Sequence, residues 1–424
     1  MTAGARSRHR SIAAAVAGNF VEFYDLTIYA FMAPIIAAQI FPASSRGISL
    51  LLVFSTYSVS YLARPLGALV FGAYGDRLGR KSAMMASILL MAACSLVIGC
   101  TPNYERLGLV APLIIAAARF AQGIAAGGEG GNAIAYLAEM ATPGRRGFIA
   151  SFQQFGTGLS SLFAILVSSL LSWILPASEL SAWGWRVPFL IGAVMGLVGL
   201  YLRRYAEETP AFLDSDVARR SPLRNLAGSW RSVVRTVGIG ILPNFAFLTW
   251  QGLLPTYLIG TTGLSRSEAF TVALAGIFAF VICILPAGML SDRFGRRPMM
   301  IGSAVATIVM AYPTYVGLPT FASSFAAAIA VAIAGNIILS LMAGSLIALM
   351  SEQFETEVRA TGNGLAFAIS IVISGVIFPP LLAVLMNGQD YLALFCIFCV
   401  AASVSLVTYL LMAETRERSI SPTP

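Results

Sequence analysis

Charge is scarce in this 424-residue sequence: Asp, Glu, Lys and Arg make up 11% of it, where a soluble domain carries about a quarter. So few charges cannot cover a water-exposed surface, which excludes an ordinary soluble fold. Histidine is nearly absent too, and the single residue, His9, precedes the first apolar run; a histidine-based proton relay is excluded. The five cysteines, Cys94, Cys100, Cys283, Cys396 and Cys399, all lie in apolar runs. Cys396 and Cys399 form a CxxC with no His or carboxylate nearby, so packed or lipid-facing thiols are expected and no metal site. No nucleophile–base arrangement is visible either, so neither an enzyme nor a cofactor is expected.

What the sequence has is apolar length. Hydrophobic residues make up 58%, and runs of about 20 or more, enough to cross about 30 Å of hydrocarbon, fall near 12–40, 48–74, 82–101, 108–140, 148–175 and 186–202. Six more fall near 233–259, 268–290, 299–318, 321–351, 360–386 and 391–412. The expected fold is an all-α membrane protein of twelve transmembrane helices.

The net charge of +8 does not point to nucleic acid, because it is distributed by side. With the N-terminus inside, Arg6, Arg8, Arg10, Arg77, Arg80, Lys81, Arg145, Arg146, Arg293, Arg296, Arg297, Arg359, Arg416 and Arg418 are cytoplasmic, as are the arginines from Arg203 to Arg235; Arg46, Arg106, Arg186 and Arg266 fall opposite. This is the positive-inside pattern, and it places both termini in the cytoplasm. Basic residues before Ala15-Val16-Ala17 resemble a signal peptide, but the apolar segment ahead of that site is too short and the helix runs far past it. Membrane lipid is the expected surroundings, and a monomer the expected functional unit.

Two motifs repeat at matching intervals. Gly72-Ala-Tyr-Gly-Asp76-Arg77-Leu-Gly79-Arg80-Lys81 follows the second run and Gly288-Met-Leu-Ser-Asp292-Arg293-Phe-Gly295-Arg296-Arg297 the eighth, an offset of 216 from Asp76 to Asp292. Glu139 precedes Arg146 by seven residues, as Glu352 precedes Arg359, an offset of 213. Near-equal offsets imply a duplicated six-helix unit with corresponding helices parallel. The domains expected are a six-helix bundle over 1–202, a cytoplasmic linker over 203–232 with Pro210 and Pro222 interrupting any long helix, a second bundle over 233–412, and a cytoplasmic tail over 413–424.

The G-x-x-x-D-R-x-G-R-[RK] motif resembles the signature loop of the major facilitator superfamily. Gly18-Asn-Phe-Val-Glu22-Phe-Tyr-Asp25, Arg64-Pro65-Leu-Gly67, Arg119-Phe-Ala-Gln122-Gly123 through Gly127-Gly128-Glu129, Trp183-Gly-Trp185-Arg186-Val-Pro188-Phe189 and Glu208-Thr209-Pro210-Ala-Phe212 together resemble its metabolite:proton symporters. That resemblance implies a small-molecule substrate, a coupling proton and a bacterial inner-membrane location. Its members carry citrate and related carboxylates, oxoglutarate, shikimate, aromatic acids, or proline and betaine. Arg119-x-x-Gln122-Gly123 also resembles a motif of drug:proton antiporters, but Phe155-Gly156-Thr157-Gly158 lacks the proline those exporters carry in their fifth helix. A sensor on a transporter fold would need a signalling domain that is not visible. With about a dozen residues after Leu411, osmosensing of the kind that uses a long charged heptad helix is not expected.

A charge near the bilayer centre costs about 2.5 to 3.5 kcal/mol, so Glu22, Asp25, Arg64, Arg119 and Glu129 each need a reason. Glu22 and Asp25 are three residues apart on one helix face. Two carboxylates sharing a low-dielectric site cannot both ionise cheaply, so the pair, with Glu129, is expected to handle the coupling proton; permanent pairing with Arg64 or Arg119 is the alternative. Arg119, with Gln122 and Glu129 within about 80° of it on the helix, is suited to hold an anionic substrate by two parallel hydrogen bonds. A salt bridge to Glu22, Asp25 or Glu129 is its alternative. Arg64, near the cytoplasmic end of the second helix, is expected to snorkel partly and to serve structure or gating. Glycines at 123, 127, 128, 130 and 131 permit close helix packing. In the second half Asn336 and Asn363 are neutral polar residues in apolar helices, and Asn244 and Gln251, seven apart, are candidate substrate contacts on one face. The resemblance further implies that Asp76 and Arg80 with Arg146, and Asp292 and Arg296 with Arg359, latch the cytoplasmic side, purely topogenic charge being the alternative. Arg119 as an anchor favours an organic anion, a di- or tricarboxylate or an aromatic acid.

Overall fold

A computed structural model describes residues 3–42, 46–78, 80–139, 141, 144–204, 229–320, 324–354 and 359–416, except the side chains of 3–15, 46, 72–73, 75–78, 80, 132, 135–136, 138–139, 202 and 359–360. Most of the expected linker, and the side chains of Asp76, Arg80, Glu139 and Arg359, lie outside the described residues.

The first half comprises α1 (Ala3–Ile40), α2 (Arg46–Leu62 and Arg64–Leu78), α3 (Arg80–Cys100), α4 (Val110–Glu139), α5 (Arg146–Ile174) and α6 (Val187–Arg204). The second comprises α7 (Trp230–Phe247, a π turn Leu248–Gly252, then Leu254–Thr261), α8 (Arg266–Phe294), α9 (Arg296–Tyr312, a π turn Pro313–Gly317, then Leu318–Thr320), α10 (Phe325–Ser351), α11 (Arg359–Asn387) and α12 (Tyr391–Leu411). Eleven of these are long and apolar enough to cross a membrane by themselves. The twelfth span is α2, split at Ala63 because Pro65 has no N–H to return to the carbonyl of Tyr61. The span of α6 runs to Arg204, so Arg203, assigned to the linker by its charge, is a buried part of the first bundle.

Large apolar side chains are exposed at helical spacing on the outer faces: Val194, Leu197, Val198 and Tyr201 on α6, and Val400, Val404, Val407 and Leu411 on α12. In water such stripes would be a liability; they suit a hydrocarbon surround. The interior is a hydrophobic core crossed by polar contacts. Asn19 on α1 donates to the Gln153 carbonyl and to Thr157 Oγ1 on α5, both at 2.8 Å. Ser58 on α2 donates to the Gly375 carbonyl on α11 at 2.9 Å, joining the halves at mid-depth.

Helices α2 and α4 approach backbone to backbone, which the glycines make possible. A methyl on Gly123 would run into the Ser60 carbonyl, and one on Gly127 into that of Arg64. A Gly127→Val protein is therefore expected to lose about 3 kcal/mol or more, read as a clearly lower melting midpoint of the detergent-purified transporter. An unchanged midpoint would mean that α2 and α4 separate at no cost.

The two π turns face one another. Thr249 Oγ1 and Tyr315 OH are hydrogen-bonded at 2.5 Å, Tyr257 OH donates to the Tyr315 carbonyl at 2.9 Å, and Trp250 Nε1 donates to Thr314 Oγ1 at 3.3 Å.

Candidate functional site

Helix α1 separates two voids because successive side chains on it face different ways. Glu22, Asp25 and Leu26 look into the first half, onto a void of about 10 Å³ shared with Ser60, Arg64, Arg119 and Gln122, room for about one water. Phe23 faces a second void of about 30 Å³ between the halves, lined also by Phe247, Phe280, Phe367, Gln154 and Asn244.

The chamber in the first half holds three arrangements. Glu22 forms an ion pair with Arg64 at 2.9 Å, both buried. Glu129 forms an ion pair with Arg203 and accepts from Ser87 Oγ at 3.1 Å, while Arg203 also donates to the Met84 carbonyl at 2.8 Å. The third is a relay. Arg119 donates to Gln122 Oε1 at 2.9 Å, and Gln122 Nε2 donates to Ser95 Oγ at 2.9 Å and, more weakly, to Asp25 Oδ2 at 3.3 Å. Ser95 Oγ in turn donates to Asp25 Oδ2 at 2.5 Å. The amide of Gln122 thus turns its acceptor to the cation and its donor to the carboxylate.

Arg119 is 1% exposed, yet among the described residues it has no carboxylate within ion-pair distance. Its guanidinium lies 4.3 Å from the centre of the Tyr29 ring and 5.3 Å from that of Tyr57, and donates to Ser60 Oγ at 3.2 Å. Cation–π contact of this kind offsets part of the cost of burial. Among the described residues Asp25 Oδ1 and Arg119 Nε have no hydrogen-bond partner.

Several expectations change here. Glu22 and Asp25 border the same small void but bond to different partners; the former pairs with Arg64 and the latter accepts from the neutral Ser95 and Gln122, since residues three apart can engage different neighbouring helices. Arg64 does not snorkel but is 3% exposed, held by Glu22. Glu129 engages Arg203 rather than Arg119. Asn244 donates to the Gly240 carbonyl at 2.8 Å and to Ser370 Oγ at 3.1 Å beside the void between the halves. Gln251 does not line that void; it sits in the π turn of α7, which breaks the seven-residue register, and among the described residues neither of its amide atoms has a partner. Asn363 is likewise buried with no side-chain partner among the described residues, and Asn336 donates to the Ala332 carbonyl at 3.0 Å. The sequence carried no signal for Tyr29, Tyr57, Ser95 or Gln154, ordinary members of apolar runs.

At the linker end the second-half motif crosses to the first half. Both carboxylate oxygens of Asp292 accept from the start of α5, from Gly147 N at 2.8 Å and Phe148 N at 2.9 Å. Asp292 also pairs with Arg296 at 2.9 Å, and Arg296 with Glu352 at 3.4 Å. The helix end that Asp292 engages is the one starting at Arg146, because an N-terminus offers free N–H groups to an anion; the expected contact with Arg359 falls on a side chain outside the described residues. Thr415 donates to Glu352 at 2.6 Å, and Glu414 accepts from Arg296 N and Arg297 N at 2.9 and 3.0 Å. Partial burial opposes the charge of Glu414, but these and further backbone N–H groups hold its carboxyl below the usual range. At the opposite end Trp173 Nε1 donates to Ser267 Oγ at 3.0 Å, so the halves are joined at both ends.

The family described as sugar (and other) transporter matches residues 11–222, and the Major Facilitator Superfamily matches residues 245–424. An inner membrane metabolite transport protein, YhjE of Escherichia coli K12, is 32% identical over 98% of this chain and 96% of its own length. A citrate-proton symporter of Klebsiella pneumoniae is 34% identical over 88% and 84%, and the proline/betaine transporter of E. coli K12 31% identical over 97% and 84%. The E. coli xylose transporter XylE, in a partially occluded inward-open conformation, superposes with a TM-score of 0.78 at 16% identity, covering 98% of this chain and all of that one. The superposition gives the fold and the near full-length relatives give the lineage: the chain belongs to the major facilitator superfamily of membrane transporters, alongside metabolite:proton symporters.

Proposed function

We propose that this protein is a multi-pass secondary transporter of the bacterial inner membrane that imports a small carboxylate metabolite together with protons by alternating access. Both termini lie in the cytoplasm, and the monomer is the working unit. One observation carries the reading: among the described residues Asp25 is a buried carboxylate with only neutral hydrogen-bond partners, linked through Gln122 to Arg119, a buried cation with no carboxylate within ion-pair distance.

Such a relay couples two ligands. With Asp25 ionised, Gln122 is held between carboxylate and guanidinium, and the two charges offset each other. A proton on Asp25 removes the negative partner and leaves the Arg119 charge to be matched by a substrate carboxylate, for which the planar guanidinium is suited. Rocking of the halves moves α1 and α2 relative to α7 and α11, and joins the Arg119 chamber to the void lined by Gln154 and Asn244. Glu22–Arg64 and Glu129–Arg203 hold α1, α2, α4 and α6 together around it.

Reconstituted into liposomes, the transporter is expected to accumulate a carboxylate when the outside is more acidic than the lumen, and to stop on addition of a protonophore. Uptake that ignores the proton gradient for every carboxylate it carries would remove the coupling.

A further inference from the structure

We infer that the transported anion carries a single carboxylate on an apolar body, so that di- and tricarboxylates are rejected. The inference rests on the symport reading above and narrows it to one substrate class.

The first support is the pairing of buried charges. Within the membrane interior, Arg64 is matched by Glu22 and Arg203 by Glu129. Arg296, at the linker end, is matched by Asp292 and Glu352. Among the described residues that leaves Arg119 as the one buried cation in the interior that a substrate anion can meet. A second substrate carboxylate would have to be buried without a counter-charge, which interiors reject strongly.

The second support is the lining of the void between the halves. Four phenyl rings, Phe23, Phe247, Phe280 and Phe367, face it with two neutral amides, Gln154 and Asn244. Aromatic faces are electron-rich and repel a further carboxylate, while they suit an aliphatic chain or a ring. The amides orient a neutral polar group without supplying charge.

The same pairing sets the charge moved per cycle. Arg119 can take the substrate anion only when Asp25 carries a proton, so one proton accompanies one monoanion and the step moves no net charge.

The test uses the full chain in liposomes preloaded with unlabelled pentanoate or benzoate, with the radiolabelled acid outside for counterflow at about pH 7.5, where the carboxyls of these compounds are ionised, and with leak through protein-free liposomes subtracted. Competitors are the series pentanoate, glutarate and tricarballylate, and the series benzoate, isophthalate and trimesate. The monocarboxylate of at least one series should be exchanged, with its di- and tricarboxylate counterparts competing at least roughly tenfold more weakly. Uptake should follow the pH gradient and be unmoved by a valinomycin-set potential. Gln154→Arg, or Asn244→Lys if that protein is not obtained, should improve competition by glutarate or isophthalate relative to the wild type. Proton-driven uptake with equal competition across a series, no exchange of either monocarboxylate, or uptake driven by the potential as a zwitterion would require, each overturns the single-carboxylate inference. Uptake indifferent to the pH gradient overturns instead the symport reading beneath it.

Discussion

Asp25→Asn is expected to abolish uphill uptake while leaving exchange across the membrane intact. A gradient of two pH units is worth about 2.7 kcal/mol, so a one-to-one symporter can concentrate its substrate up to about 100-fold. The asparagine variant should reach no concentration above the external one, a loss of that whole factor. Asparagine can still accept from Ser95 and Gln122, the partners Asp25 has at 2.5 and 3.3 Å, so the chamber keeps its shape. It cannot ionise, and Arg119 then stands ready for a substrate carboxylate in every cycle. Counterflow, which needs binding and rocking but no net proton movement, should therefore persist at a rate similar to that of the wild type. Uphill accumulation by the Asp25→Asn protein would remove Asp25 from the coupling step. Glu22→Gln is the control: it leaves Arg64 without its carboxylate, and its cost should appear in thermal stability, with the accumulation ratio retained in the protein that folds.

The second large effect belongs to the linker end. Asp292→Ala removes two charge-assisted hydrogen bonds to Gly147 N and Phe148 N as well as the ion pair with Arg296. Hydrogen bonds to charged groups contribute about 1.5 to 3 kcal/mol each, and part of that is recovered by water when the halves open. A net loss of about 3 kcal/mol shifts the population toward the state open at this end by roughly 100-fold. Hydrogen exchange followed by mass spectrometry reads the change directly, because the amides concerned are those that Asp292 covers. The peptide carrying Gly147 and Phe148 should exchange much faster in the variant, while peptides around Trp173 and Ser267, at the opposite end, should not. Equal exchange in variant and wild type would mean that Asp292 fixes local structure and does not hold the halves together.

How much of this could be read from the residues depends on the physical signal each one sends. The spans were legible because an apolar run of membrane length has few other uses, and the doubled loop motif showed the two halves. Glu22, Asp25, Arg119 and Gln122 were legible as candidates because buried charge in such a run needs a reason. Their partners were harder. Ser95 is one hydroxyl among small residues of α3, and Tyr29 and Tyr57 are two aromatics among many, so nothing local marks them as the neighbours of Asp25 and Arg119. Arg203 was misassigned because a basic residue at the end of an apolar run normally reaches for water, whereas Glu129 draws this one inward. Glu22 and Asp25 show the limit of spacing arguments: position on a helix says which side chains are near neighbours, but the facing helices decide what each one touches. The break at Ala63 follows from Pro65, and the π turn that holds Gln251 ends just before Pro255, which has no N–H for the Gln251 carbonyl.

Those wide turns bear on how the chain can be aligned with others. A membrane helix ordinarily cannot lose one residue without turning everything beyond it by about 100°. A π turn is where a helix stores an extra residue, and α7 and α9 each hold one, at Leu248–Gly252 and Pro313–Gly317. A one-residue gap placed inside either segment preserves the packing on both sides of it. The same gap elsewhere in these two spans would put lipid-facing residues into the interior, so it marks an alignment that should be redrawn.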